Sequence, residues 1–138
     1  MNEQALKERL KVIAKVKDIR FNVVWKQLIL ERFLVRLSLS DYTDKFIFKG
    51  GYLLAYLMNI GRETTDLDFL LTRMKAEEPQ IREAIENIVS NESNDGFDFA
   101  FESIEMLSQP HMSYPGYRVS LRTTFGKMRD RIQVDVGV

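Results

Sequence analysis

The sequence of 138 residues has no cysteine, which excludes disulfides and thiolate metal sites and fits a reducing compartment. It has no net charge either. Lys+Arg and Asp+Glu both total 20, so no long-range field draws in nucleic acid or a membrane surface, and any polyanion must be met by a local patch. The single histidine, His111, stands alone in a proline-containing loop, with nothing to make it a base or a ligand. No apolar run reaches the ~18 residues needed to span a bilayer, and MNEQALKERLKVIAKVKDIR lacks a signal-peptide core. The expected location is therefore cytoplasmic, with no membrane partner. No repeat, linker or low-complexity segment interrupts the chain. What is present is 45% hydrophobic residues, enough for one domain with a real core over residues 1–138.

Leu6, Leu10, Ile13 and Val16 recur at helical spacing, which predicts an amphipathic first helix with these four on its core face. A second helix is expected from about Asn22, a good N-cap type, through VVWKQLILERFLVRLSLS, with Leu30, Phe33, Leu34 and Leu37 on one side. Ser40, Asp41 and Asp44 form a polar connection into a strand at Phe46–Phe48. Further on, Ile81, Ala84, Ile85 and Ile88 mark a crossover helix, and NESNDG (residues 91–96) is the strongest turn signal in the chain. Alternation predicts half-buried strands at Phe97–Glu102, Tyr117–Thr124 and Ile132–Val136, the first two joined by SQPHMSYPG.

The chemistry is concentrated in FIFKGGYLLAYLMNIGRETTDLDFLL, Phe46 to Leu71, which reads as strand, turn, helix, strand. On the last strand Asp66 and Asp68 share one face while Leu67, Phe69 and Leu71 share the other. Asp135 occupies the polar face of an otherwise apolar strand and can join them. Three such carboxylates from neighbouring strands suit Mg²⁺, which takes oxygen ligands, and can seat two ions about 3.5–4 Å apart. By itself an Asp-x-Asp is equally the solvated edge of a strand. Gly50 and Gly51, at a strand-to-helix turn, let a phosphate approach the backbone at a helix start; a tight turn that merely needs glycine is the alternative. The helix Tyr52–Asn59 is apolar nearly all round and is expected to be buried. Arg62 as a fork and Lys49 as a point charge are candidates to pair with a triphosphate, and Thr64 and Thr65 to cap or orient the aspartate strand. Arg118, Arg122, Lys127, Arg129 and Arg131 form either a patch for an RNA backbone or a solvated face.

The segment ERFLVRLSLSDYTDKFIFKGGYLLAYLMNIGRETTDLDFLL resembles the nucleotidyltransferase AbiEii/AbiGii toxin family of the DNA polymerase β-like superfamily. The marks are the helix ERFLVRLS, the KGG turn and an Arg-x-Thr-x-Asp-hydrophobic-Asp signature. The resemblance extends through DGFDFAFESI and GYRVSLRTTFGKMRDRIQVDV. It implies an α/β (α+β) nucleotidyltransferase core with two N-terminal helices: a mixed, twisted sheet with helices on its apolar face and the active site on the other. It also implies the toxin half of a type IV toxin–antitoxin or abortive phage infection system, using NTP and Mg²⁺, with tRNA or another RNA as acceptor and an antitoxin that forms no stable complex. By position, Gly50 and Gly51 match the family's glycine motif, Asp66 and Asp68 its metal pair, and Asp135 its third carboxylate. Gly51 stands where many related enzymes have a serine. The family continues into a helical half carrying a lysine and further acidic residues, so a chain closing on RIQVDVGV is expected to be a truncated piece. Two other classes stay open on the residues alone: a non-catalytic module of this fold that docks a protein or RNA, and another phosphoryl or glycosyl transferase built on Asp-x-Asp.

Overall fold

A computed structural model describes residues 2–48, 66–91, 93–107 and 116–137. Among them the elements run α1 (Glu3–Lys17), α2 (Phe21–Ser38), β1 (Phe46–Phe48), β2 (Asp66–Leu71), α3 (Glu78–Val89), β3 (Phe97–Leu107), β4 (Gly116–Phe125) and β5 (Met128–Gly137). The strands form one sheet in the order β1-β2-β5-β4-β3. β2 and β5 are parallel, and the other neighbours are antiparallel, so the sheet is mixed as expected. The turn at Gly50–Gly51, the helix Tyr52–Asn59, His111 and most of its loop lie outside the described residues.

Alternation decides which side of the sheet meets the helices. Leu67, Phe69 and Leu71 of β2, Val119 and Leu121 of β4, and Ile132, Val134 and Val136 of β5 join the buried residues of α1, α2 and α3 in one core. Phe33 of α2 is its centre, with ring centroids 6.4 Å from Phe69 and 6.3 Å from Phe99. Each such fully buried side chain contributes roughly 1.5–3 kcal/mol by leaving water. The opposite face carries Asp66, Asp68, Gln133, Asp135, Arg118, Ser120 and Arg122. Packing on one face and polar chemistry on the other thus follow from a period of two.

Two helix details differ from the sequence expectation. In α1 the buried residues are Leu6, Leu10 and Ala14, while Ile13 is 38% and Val16 78% exposed. At 3.6 residues per turn Leu10 sits between Leu6 and Ala14 around the axis, and Val16 lies about 120° from it. α2 begins one residue before Asn22, behind an extended Arg20 that makes no side-chain cap. Burial of Val24 and Trp25 in the first turns replaces the missing cap as the reason the helix starts there. By contrast, α1 starts as its composition suggests, with the Asn2 side chain accepting the Ala5 N–H at 2.8 Å.

β4 and β5 form a hairpin whose last pair is Phe125 with Met128, which leaves Gly126 and Lys127 as the turn. Gly126 has φ +60°, and a Cβ there would meet Glu3 Oε1 at 2.6 Å. Glu3 itself ties α1 to this turn by accepting the Lys127 N–H at 2.6 Å. Gly126→Ala is therefore expected to cost about 1–2 kcal/mol, from the left-handed backbone and the displaced carboxylate together, measured by urea unfolding. No change in the midpoint would show that the turn relaxes freely.

Candidate active site

Leu67 and Phe69 are fully buried, and that anchors β2 with Asp66 half-buried and Asp68 exposed on the open face. Val134 and Val136 do the same for Asp135 on β5. The parallel ladder sets Asp68 and Asp135 opposite one another as Cα partners, with Asp66 opposite Gln133. Neighbouring strands lie about 4.8 Å apart, so Asp68 and Asp135 stand side by side, and Asp66 is one pleat away, roughly 7 Å along its strand. The three carboxylates singled out in the sequence are thus brought together on one surface by two strands 60-odd residues apart in the chain.

The row does not stop at Asp135. Its Cα partner on β4 is Arg118, and Arg118 is in turn the partner of Glu105 on β3. Across four strands the open face therefore reads Asp68, Asp135, Arg118, Glu105. Arg118 Nε donates to Asp135 Oδ1 at 2.9 Å and Nη2 to Oδ2 at 3.0 Å, a fork that uses both carboxylate oxygens. This hydrogen bonding and the Asp135 charge, with smaller help from Asp66 and Glu105, hold the guanidinium pKa above its ordinary value.

Arg118 was placed by its sequence only among five clustered cations, and the structure separates them. Arg118 belongs to the carboxylate row. Arg131 makes a two-pronged pair with Glu102, both contacts at 2.7 Å. A register shift between Phe101 and Ser103 takes Glu102 out of the ladder and permits that pair. Lys127 is in the hairpin turn. Arg122 and Arg129 are exposed, with no ion pair among the described residues, on the same face as the aspartates. The signal for Arg118 was nevertheless in the sequence. Once Gly126-Lys127 is taken as a two-residue turn, each step back along β4 is matched by one forward along β5, and Arg118 falls opposite Asp135.

The donor set suits a hard divalent cation, since it is all carboxylate oxygen. Among the described residues, no three acidic or imidazole side chains converge tightly enough to hold an ion as they stand. Both oxygens of Asp135 are engaged by Arg118. Lys49, Gly50, Gly51, Arg62, Thr64 and Thr65, the candidate nucleotide contacts, lie outside the described residues.

A mixed sheet with helices on one face, and an Asp-x-Asp strand lying parallel to a strand with a third aspartate on the other, is the architecture of a nucleotidyltransferase. The family described as nucleotidyl transferase AbiEii toxin, type IV TA system, matches residues 32–138, and the chain belongs to that family. A comparison with curated proteins finds no significant match. The chain is thus a nucleotidyltransferase of a toxin family, a class that uses a divalent metal. Its match covers the C-terminal end of α2, all five described strands and all three aspartates.

Proposed function

We propose that this protein transfers a nucleoside monophosphate from an NTP to an acceptor hydroxyl, with Asp66, Asp68 and Asp135 holding Mg²⁺. The observation that carries this is the parallel register that puts Asp68 beside Asp135. Bound there, Mg²⁺ supplies charge neutralisation at the triphosphate and lowers the pKa of the attacking hydroxyl. Asp66 and Asp68, fixed by the buried residues between and beside them, would hold the cation against which the triphosphate is neutralised. Asp135 accepts the proton of the acceptor hydroxyl as the new O–P bond forms and the bond to pyrophosphate breaks. Gly50 and Gly51 supply backbone N–H groups to the phosphates, with Lys49 and Arg62 as counter-charges and Thr65 orienting the aspartate strand. The test is transfer of α-labelled NTP by the full-length chain. Label transfer that survives Asp66→Ala plus Asp68→Ala overturns the proposal, and no Mg²⁺-dependent NTP uptake at millimolar ligand would favour a non-catalytic docking module.

The acceptor we propose is RNA, tRNA included. Arg122 and Arg129 support it, because they share the aspartates' face and no ion pair among the described residues consumes them. Arg131, the register partner of Arg122, lies four residues before Asp135, about 13 Å along β5. Replacing Arg122 and Arg129 by Ala is expected to lower RNA affinity and to flatten the plot of log affinity against log salt by about 0.7 per lost phosphate contact. NTP affinity should stay the same. An unchanged salt slope would remove this face as the RNA track. Family membership suggests a cognate antitoxin, which we propose acts in the cytoplasm without a stable complex. Among the described residues no helix is long and apolar enough to cross a membrane.

A further inference from the structure

We infer that Arg118 is a competing internal counter-ion for Asp135, displaced when a divalent cation takes that carboxylate and then available to the anionic substrate on the same face. The inference rests on the metal-binding role proposed for Asp135. Its starting point is that the Arg118 fork uses both Asp135 oxygens, at 2.9 and 3.0 Å. A divalent cation at those oxygens would stand within a few ångströms of the guanidinium's like charge, so occupancy by one opposes the other. The pair is not locked in the interior, since the side chains remain 33% exposed for Arg118 and 18% for Asp135. Water can therefore solvate each partner during the exchange, unlike a fully buried pair, where desolvation would forbid it.

Arg118 also has somewhere to go. Its other in-row neighbour is Glu105, and Asp66 adds to the negative field around it. With the cation seated among the aspartates, the guanidinium is tethered to β4 within one strand spacing of them. A planar, always-charged fork is suited to a phosphate oxygen pair at that place. The same residue therefore weakens metal binding before the substrate arrives and strengthens substrate binding once the metal is held. That couples the two events: in the absence of nucleotide the carboxylate stays neutralised by the protein's own cation. Arg118 is on this account a positioning residue for Asp135 in one state and a substrate contact in the other.

The experiment uses the full-length chain and two probes, Mn²⁺ alone followed by its paramagnetic resonance signal, and inorganic triphosphate added in the presence of saturating Mn²⁺. Arg118→Gln is expected to tighten Mn²⁺ binding roughly threefold to tenfold, since a partly exposed cation no longer competes. The same change is expected to weaken triphosphate binding about tenfold. Arg118→Lys, which keeps the charge without the fork, should fall between wild type and Arg118→Gln on both. Any other pattern overturns the inference, including the simplest one, unchanged or weaker Mn²⁺ binding with a lower melting temperature, which is what a purely structural salt bridge would show. Failure of the underlying assignment has a separate signature: Asp68→Asn and Asp135→Asn would then leave wild-type Mn²⁺ affinity intact.

Discussion

Asp68→Asn in the full-length chain is expected to lower nucleotide transfer on the order of a thousandfold or more, with the fold intact. Metal-borne charge stabilisation contributes several kcal/mol to such a transition state, and each 1.4 kcal/mol is a factor of about ten in rate. Asparagine keeps the shape of the side chain and removes the charge. Because Asp68 is exposed on the open face and makes none of the core contacts, the core loses nothing. Asp68 stands beside the Asp135 carboxylate in the row, so neutralising it should leave the melting temperature the same or slightly higher. This combination, activity lost and stability kept or gained, separates a functional carboxylate from a structural one. Transfer within tenfold of wild type, or a melting temperature lowered by several degrees, would refute the assignment. Asp66→Asn should resemble Asp68→Asn in its loss of transfer. Asp135→Asn differs in one respect, since it also strands Arg118 and should cost some stability.

Asp95→Ala is expected to destabilise the fold by about 3–5 kcal/mol at neutral pH without touching the open face. Arg36 of α2 is only 2% exposed, an unusual place for a charge. It is tolerated there because Nη1 and Nη2 donate to the two Asp95 oxygens at 2.9 and 3.0 Å, Nη2 also donates to the Phe97 carbonyl at 2.9 Å, and the guanidinium lies 4.8 Å from the centre of the Phe99 ring. Removing Asp95 leaves that guanidinium buried with its principal partner gone. Burial by itself would raise the Asp95 pKa, but the Arg36 hydrogen bonds, the Phe97 N–H and the charges of Arg36 and Arg32 outweigh it and hold the carboxyl below its ordinary value. A carboxyl depressed in the folded state contributes stability that is fully present above its unfolded pKa, about 3.9, and is lost as pH falls through the folded value. The gap between wild type and Asp95→Ala, measured by urea unfolding, should therefore be constant from about pH 5 to 8 and narrow below about pH 4. A gap under about 1 kcal/mol at pH 7 would mean that Arg36 finds water or another acceptor when Asp95 is removed.

These two sites differ in how visible they are before folding. The aspartates are legible because alternation is a local property of an extended backbone: Asp66 and Asp68 are bracketed by Leu67, Phe69 and Leu71, and Asp135 lies between Val134 and Val136. Any sheet that buries the apolar set must expose the acidic one. Arg36 and Asp95 look unremarkable, one as a charged position on a helix beside Arg32, the other as a turn residue in Asn-Asp-Gly. They meet only because α2 packs over the start of β3, and their separation of 59 residues has no local signature. Arg118 is intermediate. Its face was readable, but its partner depended on recognising Gly126-Lys127 as the turn that sets the register of β4 on β5.

By itself, then, the chain's sequence determined which residues face the core in the strands β2, β4 and β5 and in α3, since side-chain direction repeats with the backbone's own period of 2 or 3.6, whereas in α1 it placed Ile13 and Val16 on a core face they do not occupy. It also determined the inventory of the open face, three aspartates and a set of arginines. Tertiary structure alone decided the strand order β1-β2-β5-β4-β3, the parallel meeting of β2 with β5, and therefore the row in which Asp68, Asp135, Arg118 and Glu105 stand together. Register between distant strands is chosen by the sum of the core contacts on the other face, so which charges become neighbours is settled by the packing of residues that carry none.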